Sequence, residues 1–442
     1  MGRPVEAFRN ALKIPELKRR IIFTLIMLAI YRLGAHVPTP GIDGRALADR
    51  MSTGGLLGFY DIFSGGAFRN ATVFALGIMP YISASIILSL LVAVVPSLEK
   101  LSKSGQEGQK KITEYTRYGT ILLCIIQSIG IAAFLQNMGG EIVAYPGMFF
   151  ILMCVISFTT GTAFIMWIGE QISEFGLGNG ISLLIFISII SRMPNALIDV
   201  FKMIRNNQLN VFQALILVVL LGVVVAGAIL VTTGQRRIPV QYPRQVKGRK
   251  VFGGQRSYLP LRVNQAGVIP IIFASSILML PGLLQGALAI PIVESFFNNW
   301  FNPNGILYNG TYALLIIFFS YFYTAITFNP VEIADNMKKY GGVIMGVRPG
   351  KATADYLNRV MVRITLVGSL FLAAVALLPN IVWGVVKVYD WNVVGFFGGT
   401  SLLILVGVAL DTIRQIEQHL LMRHYDGFAG PGGRRLRGRR SY

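Results

Sequence analysis

The sequence predicts an all-α polytopic membrane protein. It has ten transmembrane helices in two inverted five-helix halves, with a short re-entrant helix before the second span. Three observations carry this expectation. Residues are 54% hydrophobic and only 14% charged, far from the balance of a soluble domain. Apolar runs of membrane-crossing length recur from residue 21 to residue 410. Lys and Arg then sort onto alternate connections only if ten crossings separate them.

A helix needs about 20 mostly apolar residues to cross roughly 30 Å of hydrocarbon. Residues 1–20 are basic and amphipathic, with Phe8, Leu12, Ile14 and Leu17 between charges, so this segment is expected to lie on the membrane surface rather than be cleaved. The first span is 21–37. The second, 72–95, starts after Arg69 and Asn70 interrupt an apolar stretch. The third and fourth are 118–137 and 148–168. The fifth, 178–191, is the shortest, opened by glycines and ended by Arg192. The remaining five are 211–233, 266–287, 312–328, 364–382 and 393–410.

The chain carries 40 Lys and Arg against 20 Asp and Glu. With ten spans, 32 of the basic residues fall on the side that holds both termini and 7 on the other, while Arg32 lies inside the first span. That bias places the termini in the cytoplasm. Ten spans divide into five and five, and duplicated halves with an odd number of spans must be inverted. The expected units are 1–20, an amphipathic N-terminus; 21–195 and 196–410, the two halves; and 411–442, a basic tail.

Several function classes lack their residues. Ion-coupled transport and proton relays use acids or histidines at membrane depth. Here the acids, including Glu170 and Glu174, sit in loops or at span ends, as do His36, His419 and His424. Arg32 reads most simply as snorkelling or pairing near the interface. Gly350-Lys351 lacks the remainder of a phosphate loop, and Gly176-Leu177-Gly178-Asn179-Gly180 follows no strand, so no nucleotide cofactor is expected. Cys124 and Cys154 lie in apolar runs and read as packing rather than as a disulfide or metal site. No catalytic residue and no metal ligand set is predicted.

Phe63-Ser64-Gly65-Gly66-Ala67-Phe68 precedes the second span, and 63–95 is too long for one crossing. The segment fits either a half-helix folded back into the protein or an apolar external loop; the first would imply a cavity. Ser83 and Ser85, Gln127 and Ser128, and Asn264 place uncharged polar groups on or beside three spans, as packing contacts or as a seam that opens.

Longer stretches resemble the SecY family, the channel subunits of the Sec protein translocase. They are Phe74-Ala75-Leu76-Gly77-Ile78-Met79-Pro80-Tyr81-Ile82-Ser83-Ala84-Ser85-Ile86, Tyr115-Thr116-Arg117-Tyr118-Gly119-Thr120, Trp167-Ile168-Gly169-Glu170-Gln171-Ile172, Gly178-Asn179-Gly180-Ile181-Ser182, Gly346-Val347-Arg348-Pro349-Gly350 and Gly398-Gly399-Thr400-Ser401-Leu402-Leu403-Ile404. Shorter ones, Pro38-Thr39-Pro40-Gly41, Gly234-Gln235-Arg236-Arg237-Ile238, Ala266-Gly267-Val268-Ile269-Pro270 and Phe328-Asn329-Pro330, fall between them in the same order.

The resemblance implies a gated protein-conducting channel and no enzyme activity. It implies a pore ring of Ile78, Ile82, Ile181, Ile185, Ile272 and Ile404. It implies a plug around 62–70 that includes Phe63, Ser64, Gly65, Gly66, Ala67 and Phe68, and a lateral gate with Ser83, Gln127 and Asn264. Loops 234–265 and 329–363, with Arg249, Lys250 and Arg348, would dock the ribosome through its RNA or the motor ATPase SecA. Implied partners are SecE and SecG subunits, unfolded preproteins with their signal sequences, and anionic lipids. The implied location is the bacterial inner membrane. Two rival readings are an ion-coupled secondary transporter, which leaves the basic loops unexplained, and a membrane scaffold that docks ribosomes, which leaves the segment before Thr72 unexplained. The Arg434-Arg435-Leu436-Arg437-Gly438-Arg439-Arg440 tail matches no family role.

Overall fold

The computed structural model describes residues 14–50, 61, 64–137, 142–242, 244–247, 250–253, 256–288, 305–378, 393 and 399–426. The expectations for Phe63, Arg249, residues 1–13 and the Arg434–Arg440 tail lie outside the described residues.

A helix underlies each of the ten predicted stretches. They are α1 (Pro15–Gly34), α3 (Met79–Val94), α5 (Gln106–Asn137), α6 (Met148–Phe175), α7 (Gly180–Arg205), α8 (Val211–Thr233), α9 (Ile269–Leu288), α10 (Ile306–Thr327), α12 (Lys351–Ala376) and α13 (Gly399–Asp426). Three shorter helices, α2 (Gly44–Arg50), α4 (Pro96–Lys103) and α11 (Pro330–Lys339), lie between them. Among the described residues, seven helices are long and apolar enough to cross a membrane alone, or eight if the bent pair α3 and α4 forms one span. Charges at both ends, Lys18, Arg19, Arg20 and Arg32, keep α1 from qualifying on composition.

The helical boundaries depart from the hydropathy reading in four places. The second span was expected from Thr72, but α3 begins only at Met79. Ala71 and Gly77 hold positive φ (47° and 55°), and Thr72 bridges back to Pro38, so the backbone before Met79 turns instead of winding. Pro80 in the first turn then suits a helix start. At its far end α3 bends by 100° into α4 at Pro96.

Secondly, residues 15–20 are not a separate surface helix. They are the first turns of α1, where Leu17 and Ile21 are buried with Leu177 and lean on Ile416 and Leu420 of α13. Thirdly, the expected division at 195/196 falls inside α7, which continues through Pro194 to Arg205. Lastly, loop 234–265 is not irregular: it forms strands β1 (Gln235–Gln241), β2 (Arg244–Lys247), β3 (Lys250–Gly253) and β4 (Arg256–Arg262). The described residues are therefore all-α within the spans, with two small sheets beside them.

Helix packing repeats. In the first five spans α3 packs on α5, α5 on α6, α6 on α7, and α1 on both α6 and α7. The corresponding pairs five spans later are α9 on α10, α10 on α12, α12 on α13, and α8 on both α12 and α13. The two groups meet where α9 lies against α3 and α5, and where α7 lies against α8 and α13. One continuous apolar cluster runs through both groups, from Tyr31 on α1 to Val408 on α13.

Candidate functional site

The six isoleucines all belong to, or pack against, the central apolar cluster. Ile78 stands just before α3 and accepts the Ile82 N–H at 3.1 Å, so both project from one face of the first turn. Ile181 and Ile185 occupy the same spacing at the start of α7, where Asn179 caps the helix by accepting the Ser182 N–H at 3.1 Å. Ile272 and Ile404 come from α9 and α13. Five of the six are buried within the central cluster, and Ile181 is half-buried against it.

On the side carrying the basic loops lies a cavity of about 350 Å³. Its lining includes Asn179 and Ser182 from α7, Thr232 from the end of α8, Asn264 to Ile269 leading into α9, Tyr323 from α10, and Gly407, Asp411 and Arg414 from α13. Ser182 adjoins Ile181, Ile269 lies about one turn from Ile272, and Gly407 about one turn from Ile404. Three lining residues thus lie within about one turn of Ile181, Ile272 and Ile404 along their helices. Its rim is fixed by Arg414, which donates to the Thr232 carbonyl at 3.0 Å and so satisfies the last turn of α8.

Beyond the isoleucines, on the other side, sits the segment from Ser64 to Asn70. Ser64, Ala67 and Phe68 are buried. Gly65 and Gly66 hold φ of +68° and +88°, and a Cβ on Gly65 would meet Ser188 Cα at 2.9 Å. Only glycine permits that turn at that approach. The segment is tied inward: Arg32 Nη1 donates to the Gly65 carbonyl at 3.0 Å. Asp61 pairs with Arg192 of α7 at 2.8 Å. Arg32 thus pairs with the protein at the last turn of α1, and Asp61 is an acid buried to 3% exposure that hydropathy does not single out. The half-helix alternative for this stretch is only partly realised, because turns follow Ser64.

The segment after it is stapled to the end of α1. Thr39 N–H donates to the Ala71 carbonyl at 2.9 Å and Val73 N–H to that of Val37 at 3.0 Å. Behind it, Gly161 of α6 leaves room for the Val73 carbonyl, which an added Cβ would meet at 2.1 Å.

The seam residues are placed unevenly. Ser83 and Gln127 are buried on α3 and α5, the two helices that face α9. Asn264 is spent locally, donating to the Gly267 carbonyl at 2.9 Å where Gly267 turns with φ +63°. Among the described residues no hydrogen bond joins the three, and Gln127 Oε1 is buried without a partner. Ser128 lies instead beside Cys124, Thr159 and Thr162, toward α6. Across the seam, Ser276 of α9 directs its hydroxyl to Met79 Sδ at 3.8 Å, a contact hydropathy could not reveal. Cys124 and Cys154 are both buried.

The two basic loops form one folded unit. β1 pairs antiparallel with β4 and, on its other edge, with β5 (Val343–Ile344) from the second loop. Ile238, Val240 and Leu261 from the first loop share a core with Phe328, Met337, Ile344 and Leu357 from the second. Arg348 is exposed just before α12. Lys250 begins β3, paired with Lys247 across the β2–β3 hairpin.

The model of the SecY family matches residues 72–413. The protein translocase subunit SecY of Thermotoga maritima is 44% identical over 98% of this chain and 100% of its own length. Among solved structures, a SecY channel whose plug domain stabilises the closed state and maintains a membrane seal aligns with TM-score 0.66 at 17% identity, over 93% of this chain and 94% of that one. The channel of a canine ribosome-channel complex from the endoplasmic reticulum aligns with TM-score 0.65 at 16% identity, over 93% and 94%.

Proposed function

The chain belongs to the SecY family, and on that footing we propose that it is the protein-conducting channel of a Sec translocon. It is a multi-pass membrane protein and a channel subunit, not an enzyme. It passes unfolded secretory proteins through a central pore and releases transmembrane segments sideways into lipid.

One observation carries the reading. Along α7 the three parts of a gated pore follow in order: Asn179 and Ser182 at the polar cavity, Ile181 and Ile185 in the apolar cluster, then Ser188 and Arg192 against the segment 61–70. These 14 residues of helix climb roughly 20 Å. An apolar waist between two wetter regions stops ions by dewetting, yet flexible isoleucines can part around a chain. Ile78, Ile82, Ile181, Ile185, Ile272 and Ile404 form that waist. The buried stretch with Ser64, Gly65, Gly66, Ala67 and Phe68 is the plug beneath it.

The lateral gate lies between α9 and the α3–α5 pair, with Ser83, Gln127 and Asn264 along it. Among the described residues Gln127 Oε1 has no partner. A buried acceptor left unsatisfied costs about 1–3 kcal/mol, which favours an interface that opens. A hydrophobic signal sequence would insert here. The repeated packing pattern of the spans supports two inverted halves.

The joined loops would dock SecA or the ribosome, with Arg249, Lys250 and Arg348 among the contacts. Their fusion into one sheet supports a single platform for both partners. SecE and SecG subunits complete the complex, and anionic lipids meet the basic face. The termini lie in the cytoplasm of a bacterial cell, with the chain in its inner membrane.

The test is reconstitution. Vesicles holding the chain with SecE and SecG should import a secretory protein when SecA and ATP are added, and should not accumulate small solutes down an ion gradient. Solute uptake without protein import would contradict the reading.

A further inference from the structure

We propose that Asp61, Arg192 and Arg32 form a charged latch that holds the plug shut and sets how readily the resting channel opens. The proposal rests on the plug reading above and adds the residues that hold it. Asp61 and Arg192 are 5% and 16% exposed along their side chains and pair at 2.8 Å. A carboxylate at membrane depth is costly, so it persists where it is paired or functional. Here both of its oxygens are engaged: Oδ2 faces Arg192, and Oδ1 accepts the Arg69 N–H at 2.9 Å.

The same residue organises the plug turn. The Asp61 carbonyl accepts from Ser64 Oγ and from the Gly66 N–H, each at 3.1 Å. Asp61 therefore links the fold of the plug to α7. Arg32 adds a second tie, from α1 to the Gly65 carbonyl at 3.0 Å. Between these ties, Tyr31 and Ser188 join α1 to α7 through a 2.7 Å hydroxyl contact, and Ser188 forms the floor against which Gly65 rests. The plug is thus clamped at two points to two helices of the first half.

The physics makes this latch dependent on state. Two unit charges attract strongly in a dry interior and weakly in water. While the pore is dry the pair resists the first displacement of the plug. Once a signal sequence parts the seam and water enters, the pair hydrates and the same charges no longer oppose opening.

The test uses the purified full-length chain with its partner subunits, recorded at rest in planar bilayers. Removing one partner of a buried pair strands the other, so Asp61→Asn and Arg192→Gln should each raise resting open probability about tenfold or more. Reversing the pair, Asp61→Arg with Arg192→Asp, should bring it back toward the original value. Arg32→Gln leaves the ion pair intact and should raise it about threefold, which keeps the idea testable if Asp61→Asn does not fold. Deleting 61–70 separates the two readings. If the deletion leaks while the neutralised variants stay shut, the plug stands and the latch is wrong. If the reversed pair leaks as much as the single variants, pairing is not the cause and the latch is wrong. If the deletion does not leak, the plug reading falls and the latch with it.

Discussion

In the proposed channel the plug and the seam close the pore by opposite means. The plug is held by specific polar contacts: a buried ion pair, an arginine on a carbonyl, and a turn closed by Ser64 and Asp61. Among the described residues, the seam between α9 and α3–α5 is mainly apolar packing, with one hydroxyl–sulfur contact at 3.8 Å and an amide oxygen without a partner. Apolar side chains slide past one another with little preference for position. Ion pairs and hydrogen bonds are directional and have one good arrangement. The difference suits the two tasks: the seam must yield to many different hydrophobic segments, whereas the plug must return to one place.

The comparison can be broken at the proposed isoleucine waist. Replacing Ile82 and Ile404 with Gly removes side chains from two sides of the ring, and resting ion conductance in planar bilayers should rise about a hundredfold as the constriction wets. An unchanged conductance would mean that plug and seam alone make the seal. Next in size is a variant that spares both closures. Arg348→Glu should lower SecA-driven export into vesicles about tenfold by reversing a docking charge, while resting conductance and melting temperature stay as they were. A leak in that variant would show that the platform and the closures are not separable.

Gly65→Ala probes the plug alone. An L-residue with left-handed backbone costs roughly 1–2 kcal/mol, and the new Cβ also presses on Ser188, so export of a reporter with a weakened signal sequence should improve about tenfold. Improved closure instead would contradict the placement of Gly65. Gln127→Leu probes the seam alone and should have the smallest effect. It removes a buried unsatisfied oxygen, which stabilises the shut seam by about 1 kcal/mol and lowers export of weakly hydrophobic signals about fivefold. If export of strongly hydrophobic signals fell equally, Gln127 would be acting elsewhere than at the seam.

Much of the architecture was legible in the sequence, because hydropathy and charge sorting report directly on a bilayer. Span 211–233 coincides with α8 to the residue, since it is apolar throughout and ends at a glycine. The six isoleucines enter only through the family resemblance; nothing in hydropathy separates them from the other isoleucines of the spans. Hydropathy failed where backbone geometry decides. Residues 72–78 are as apolar as the helix after them, yet positive φ at Ala71 and Gly77 keeps them out of it. The strands were missed because β1 and β4 are short runs that each contain a proline, Pro239 and Pro260, and their partner β5 comes from a different loop. Arg32 was legible only as an isolated charge and Asp61 not at all; the fold supplies the carbonyl and the guanidinium that explain them.

The central claim is that α7 runs beside the path of a translocating chain, from polar cavity through isoleucine waist to plug. Photo-cross-linkers at Ser182, Ile185 and Ser188, with further ones at Ile78, Ile181 and Ile404, test it on a secretory chain stalled midway through export. Val223 of α8, 64% exposed on the outer surface, is the comparison site. The account predicts strong adducts at the six inner positions and none at Val223. Adducts at Val223 equal to those at Ile185, or none at any of the six, would contradict it.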